Sequence, residues 1–503
     1  MKLTPWRTDH AVRRALRLLA AETGMVLRER LTWAVLAALF AALLLGAHTG
    51  AVRVEAERAA LATLAAEEGR AVVAAREAYA RYARATPVKI NYWQDPTNAF
   101  GYMTQFLTVH AVKPPTPLAA LATGQSDVQP SFMRVSFGSS TVFDDVAYEL
   151  GSAARLKLGA FDLAFVLAVL VPLAIIALAG TRLSVERDSG TLRLIAAQPI
   201  GPRAVAGAKF GAVAGILVVA VLGQTGLALW LTGAIRSLAG SGVTLGLLAG
   251  ALAAYILVWV AACALVATLW RGAVAALSIL VLAWTLFTVA VPAAASIAVD
   301  CLTDKPSRIA AIDASRQVQD AFANGGAGPR LTAQWLARIP GAAGRADLVE
   351  APEIKRLARD AHYDVQLDAR RESFRAHDRE SAALSRWLAL ASPVTTFDFA
   401  LQRAAGTDAG RHAAFLASAA AYRRTLRAFF EPRIVAQALN PVPVCAGCQA
   451  RLDFDAYDDV PRFQPSIDLT AGRRGALMAL AWLIVLAGGL ALSARARLKA
   501  WPA

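Results

Sequence analysis

FDLAFVLAVLVPLAIIALAG, residues 161–180, runs directly into TRLSVERDSGTLRLIAAQPIGPRAVAGAK, residues 181–209. The first piece carries a single ionisable side chain, Asp162, at its edge, and about 20 apolar helical residues cross a hydrocarbon core of about 30 Å. The second piece is short, polar and rich in both signs of charge. That alternation of long apolar run and short charged link repeats along the chain. Apolar runs of comparable length lie at 31–48, 210–235, 243–270, 272–299 and 476–494. With no water in lipid to satisfy backbone groups, each run is expected to be a helix. The fourth and fifth meet across Arg271, which predicts a tight hairpin. The chain is 503 residues long, 56% hydrophobic and only 18% charged, with a mean hydropathy of +0.45. Soluble domains stay below about 50% apolar content, so an α-helical polytopic membrane protein with six spans is the expected class.

Charge fixes the expected orientation. The formal net charge of +15 alone could indicate a nucleic-acid partner, but its placement decides otherwise. Residues 1–30, 181–209, Arg271 and the tail 495–503 together hold 16 Lys and Arg against 5 Asp and Glu. The two long segments 49–160 and 300–475 hold 35 basic and 31 acidic residues. Positive charge gathers on the cytoplasmic side of a membrane protein. Both termini are therefore expected inside, the two long segments outside as extracytoplasmic domains, and the spans 161–180, 210–299 (three helices) and 476–494 between them. Arg473 and Arg474, just outside the last span, count mildly against this. The excess charge reads as a topology signal facing anionic lipid, and no nucleic-acid partner is expected. The stretch before the first span, with Arg13, Arg14, Arg17, Arg28 and Arg30, is too long for the n-region of a signal peptide, so that span is expected to remain as an anchor.

The outer segments read as mainly helical. Residues 53–84, rich in Ala, Glu and Arg, predict a helix of about 45 Å that continues the first span outward and stops before Pro87. Residues 352–390, opened by Pro352, predict a second long helix. Residues 407–430, capped by Thr407 or Asp408 and ended by Pro432, predict a third. Turn chemistry marks 113–117 and 324–329, and a strand or two is expected near 132–137.

The link at 181–209 is the most informative polar segment. From physics alone it is either a short helix offering mixed charges to a partner or a solvated loop that obeys the charge rule. Its order, an acidic residue (Glu186), a basic one (Arg187), then Gly190-Thr191-Leu192, an apolar stretch, Gln198-Pro199, and Lys209 at the next span, resembles the signature of ABC-2 type ABC transporter permeases. In that family this segment is the coupling helix seated in a cleft of the ATP-binding subunit. The resemblance therefore implies that these eight residues couple the chain to such a subunit. Residues 1–30 are similar to the family's elbow helix: Val12, Leu16, Leu19 and Val26 fall on one face, with Arg13, Arg14 and Arg17 elsewhere on the wheel, the pattern of an interfacial helix. Residues 388–430 resemble a domain of unassigned function found in a subgroup with large periplasmic insertions. Together these implications give a permease that exports, in a bacterial inner membrane, as a homodimer or heterodimer of membrane halves, with a periplasmic partner available to the outer domains. The unusual size of both outer loops means that the substrates of compact relatives do not transfer.

No G-x-x-x-x-G-K-[ST] phosphate loop occurs, so ATP hydrolysis is expected in a separate chain and no cofactor is called for. No H-E-x-x-H or G-x-S-x-G motif points to a membrane enzyme. A sensor or scaffold with an outer ligand-binding domain is the alternative, but it needs a cytoplasmic output domain and the longest inner segment is about 30 residues. Of four cysteines, Cys445 and Cys448 form a C-x-x-C pair compatible with a local disulfide, redox exchange or half of a metal site; no metal is assigned. Small residues four apart, Gly207, Gly211 and Gly215 in the third span and Gly246 and Gly250 in the fourth, predict close helix approach, within one subunit or at a dimer seam. Gln224 is the one amide deep in a span, and Asp162 is expected to snorkel to the interface.

Overall fold

The computed structural model describes residues 5–84, 92–138, 161–192, 201–235, 240–270, 272–440 and 454–498. Six helices among them are long and apolar enough to cross a membrane: Arg30–Arg81, Leu163–Asp188, Pro202–Leu231, Gly242–Leu269, Ala273–Leu302 and Leu469–Arg497. The architecture is all-α, with one two-stranded antiparallel ribbon that pairs His110–Val112 with Phe132–Arg134.

The first span and its outward extension are one helix, Arg30–Arg84, of 55 residues. No proline interrupts it, and its composition shifts from Leu-rich to Ala/Glu/Arg-rich without a helix breaker. At 1.5 Å per residue it is about 82 Å long, more than twice the hydrocarbon thickness. Where it leaves the membrane two glycines let other backbone come close. A Cβ at Gly46 would lie 2.8 Å from the Asp162 carbonyl carbon, and one at Gly50 would lie 2.2 Å from the Ala120 oxygen. The elbow helix, Pro5–Arg28, precedes it, and the Trp33 indole donates to Leu27 O across the break at 2.8 Å.

The second span begins on Asp162. Its Oδ1 accepts from Phe165 N at 2.8 Å and its Oδ2 from Thr123 N at 2.6 Å. The carboxylate is thus a buried helix cap bonded to the outer segment; the expected snorkelling is not what it does, because two otherwise orphaned N–H groups hold it inside. One π turn, Val166–Leu170, precedes Pro172. A proline ring collides with the carbonyl four residues back and has no N–H to offer it. The wide turn relieves the collision, and the exposed carbonyls find side-chain donors: Tyr255 Oη to Ala168 O at 2.6 Å and Trp284 Nε1 to Val169 O at 3.0 Å. The fifth span repeats the device, with a π turn at Leu286–Ala290 ahead of Pro292 and Ser392 Oγ donating to Phe287 O at 2.8 Å.

A short helix from the large outer segment, Pro393–Ala405, packs inside the bundle of spans. Ser392 caps its start, and Gly406 ends it in the left-handed region at φ 66°. Val394, Phe397, Ala400 and Leu401 share the buried core of the spans. Phe397 stacks on Tyr255 of the fourth span, 4.9 Å between ring centres and 10° between planes, and Trp482 of the sixth span donates to Leu390 O at 3.1 Å. Thr116 Oγ1 then donates to Ala405 O at 2.7 Å, fastening the helix to the first outer segment.

A second core lies outside. Val72 and Tyr79 of the first helix pack against a cluster built on Tyr102, Phe430, Phe454 and Tyr457, with Tyr102 and Tyr457 stacked at 4.4 Å. The helix Pro352–Leu388 flanks it. The helix Ala409–Leu439 runs through Pro432, whereas a stop before that residue is the sequence expectation. Phe430, Ile434 and Val435 are buried on both sides of the proline, and that packing outweighs the one lost backbone bond. Between the two cores sits a buried set of charges. Lys113 is 6% exposed; burial, and then the neighbouring Arg411 guanidinium, pull its ammonium down to about 8. Burial and the Lys113 charge likewise draw His412 down to about 4.

Candidate coupling site

Beyond Gly180 the second span continues, after a turn at Thr181, as the helix Arg182–Asp188. It ends because Gly190 adopts φ +76°, a conformation side chains disfavour. Ser189 Oγ and Thr191 Oγ1 both donate to Glu186 O, at 3.2 and 3.1 Å. They satisfy a carbonyl that the helix end leaves without an internal donor. Leu192 then turns back against the core of the spans. Gln198 and Pro199, like Cys445 and Cys448, lie outside the described residues.

The charged side chains of this short helix point to three other spans and to the link between the elbow helix and the first span. Lys209, near the start of the third span, is 6% exposed at its side chain. Its ammonium lies 2.8 Å from Glu22 Oε1 of the elbow helix and 2.6 Å from Glu186 Oε1. Two carboxylates share one cation, and Glu186 Oε2 is buried with no hydrogen-bond partner among the described residues. Removing the cation would leave two partly buried anions facing each other, a destabilising arrangement. Arg182 pairs with Glu29, the residue between elbow helix and first span. Arg187 donates to Trp270 O at 3.0 Å and Ala267 O at 3.2 Å, the C-terminal carbonyls of the fourth span. Asp188 Oδ2 accepts from Ala273 N at 3.0 Å, the N-terminus of the fifth. Neighbouring residues of opposite charge thus each hold the helix end of complementary polarity.

What this constellation supplies is a set of ion pairs and hydrogen bonds between helices. Among the described residues no group of three His, Cys, Asp or Glu side chains could hold a metal ion. Of the eight residues singled out in the sequence, Glu186, Arg187 and Lys209 make the interhelical contacts, while Gly190, Thr191 and Leu192 shape the turn. The sequence reading misses Glu22, Glu29, Arg182 and Asp188. Glu22 and Glu29 are two of only three acids in the first 30 residues, the one signal that could have marked them. The glycines behave unequally. A Cβ at Gly211 would touch Leu19 at 3.5 Å and one at Gly250 would touch Leu480 at 3.5 Å, whereas one at Gly207, Gly215 or Gly246 would meet nothing among the described residues within 4 Å.

A family model described as ABC-2 family transporter protein matches residues 16–495 of the chain. No curated protein matches it.

Proposed function

Because this chain belongs to the ABC-2 family of transporter proteins, we propose that it is the permease half of an exporter driven by a separate ABC ATP-binding subunit, which pushes on residues 181–209. The observation that carries this reading is the convergence on Arg182–Asp188. A displacement of that short helix pulls on the elbow helix through Glu22 and Glu29, on the third span through Lys209, and on the fourth and fifth spans through Arg187 and Asp188. A solvated loop has no need of such fastening.

In this reading the protein sits in a bacterial inner membrane with both termini cytoplasmic, and two membrane halves stand over two ATP-binding subunits. The fifth span favours a second copy as the other half. Only 11% of its most apolar window is buried within the chain, against 72% for the second span. The outer domain built on the core of Tyr102 and Phe430 faces the periplasm in this reading, and its surface is available to a partner or to cargo leaving the bundle. Export is the direction that the family resemblance favours.

The test is co-purification of the full chain with its ATP-binding subunit, followed by an ATPase assay on wild type and Glu186→Lys. The variant sets two ammonium groups against one carboxylate, and ATPase stimulation by the permease is expected to fall at least about tenfold, corresponding to about 1.4 kcal/mol of lost coupling. A wild-type protein that retains no nucleotide-hydrolysing subunit overturns the reading.

A further inference from the structure

The helix Pro352–Leu388 belongs to the large outer segment, yet its foot is held among the spans. A short turn, Ala389–Ala391, carries the chain from its last residue to Ser392, whose hydroxyl donates to Phe287 O of the fifth span at 2.8 Å. Within that turn Leu390 O accepts from Trp482 Nε1 of the sixth span at 3.1 Å. Trp482 lies inside the apolar run 476–494, about 9 Å below its outer edge at 1.5 Å per residue. Leu390 is therefore held below the membrane surface. Trp387, three residues earlier, rises about 5 Å from there along its helix. That places it where hydrocarbon gives way to headgroups.

Trp387 is 72% exposed, and its neighbour Arg386 is exposed as well. On the opposite side of the same helix Ser381 Oγ donates to Thr303 Oγ1, just beyond the end of the fifth span, at 3.3 Å. A helix turns about 100° per residue, so Trp387 lies about 120° around from Ser381. The indole thus looks away from the fifth span and from a second copy seated on its rim.

Other exposed indoles mark the levels at which spans end. Trp230 stands exposed at the end of the third span on the same side, and Trp33 and Trp270 stand exposed at the opposite ends of the first and fourth spans. An indole joins a large apolar ring to a single N–H donor, so it settles at the boundary between acyl chains and headgroups, and belts of such rings line both faces of a bilayer. An arginine beside it lays its stem along the hydrocarbon and lifts its charge to the phosphates.

We infer that the foot of helix Pro352–Leu388 is a lipid-contacting anchor, with the Trp387 indole seated among the acyl carbonyls of phospholipid in the leaflet on the side of the two large segments. The large outer segment thereby has a hold on the bilayer of its own, apart from the six spans.

The test is photolabelling of the full chain in vesicles of dioleoylphosphatidylcholine that contain a phosphatidylcholine with a diazirine near the carbonyl end of one acyl chain. Adducts are located by tandem mass spectrometry and normalised to the chain unfolded in dodecyl sulfate. Val365 is the internal control. It lies on the same helix and is 73% exposed, but stands about 33 Å further out along it at 1.5 Å per residue. Trp387 is expected to carry at least about ten times the adduct of Val365, because a headgroup layer of about 5–8 Å leaves Val365 beyond the reach of the lipid carbene. Equal labelling of the two residues overturns the inference, since exposure and not depth then governs the yield. A Trp387 without adduct overturns it as well. If hydroxyl radicals generated in water modify that residue in the same vesicles, the indole stands in water; if neither reagent reaches it, a second copy covers it. None of these outcomes depends on the ATP-binding subunit, so the inference and the transport reading fail separately.

Discussion

The second and fifth spans carry the same local device and opposite surroundings. VLAVLVPLA, residues 166–174, and LFTVAVPAA, residues 286–294, each form one π turn ahead of a Val-Pro step. In the second span the loosened carbonyls are bonded by Tyr255 and Trp284. In the fifth, Ser392 from the inserted helix cap bonds Phe287 O, while Leu282, Leu286, Val289 and Ile297 stay exposed. A proline in a span thus dictates a local distortion but says nothing about burial. Burial is set by which neighbours arrive, and the second span is a central post where the fifth is a bare rim.

The contrast can be broken most directly at the buried post. Tyr255→Ala removes a fully buried ring, its stack on Phe397 and the donor to Ala168 O, and is expected to cost about 3–5 kcal/mol, against no more than about 0.5 kcal/mol for Val289→Ala on the exposed rim. Thermal unfolding of the two variants in one detergent measures the difference, and equal shifts would refute the asymmetry. A smaller but more specific effect is expected at Cys301, a free and exposed thiol near the outer end of the fifth span. If that rim meets a second copy, copper phenanthroline in native membranes should oxidise two Cys301 thiols to one disulfide, giving a dimer band on non-reducing gels that Cys301→Ser abolishes. A band that persists in the variant would locate the contact elsewhere. The smallest effect lies outside the membrane. His412, with its folded-state value drawn from 6.5 to about 4, is neutral when folded and protonates more readily when unfolded. Stability is therefore fully present above about 6.5 and falls as pH drops toward 4. His412→Asn is expected to flatten the dependence of Tm on pH in that window, as followed by scanning fluorimetry.

Much of this was legible from residue order. Runs without charge predict the six spans because lipid leaves an apolar helix no alternative, and Glu186, Gly190 and Lys209 mark the turn after the second span as the polar segment to inspect. What stayed hidden depended on distance or on packing. Glu22 and Lys209 are separated by 187 residues, and no local pattern links them. The helix Pro393–Ala405 has 13 residues, too few to cross a bilayer, so hydropathy cannot reveal that Phe397 lies among the spans. Pro432 looks like a stop because the rule for proline is local, and the aromatic and aliphatic residues that override it come from across the outer core.

One consequence follows from the unbroken helix Arg30–Arg84. Taken as a stiff lever pivoting near residue 40, its outer tip lies about 66 Å away, so a tilt of about 5° sweeps the tip through roughly 6 Å. Val72 and Tyr79 ride on that arm, so a movement too slight to notice among the spans would be magnified into a swing of the whole outer head.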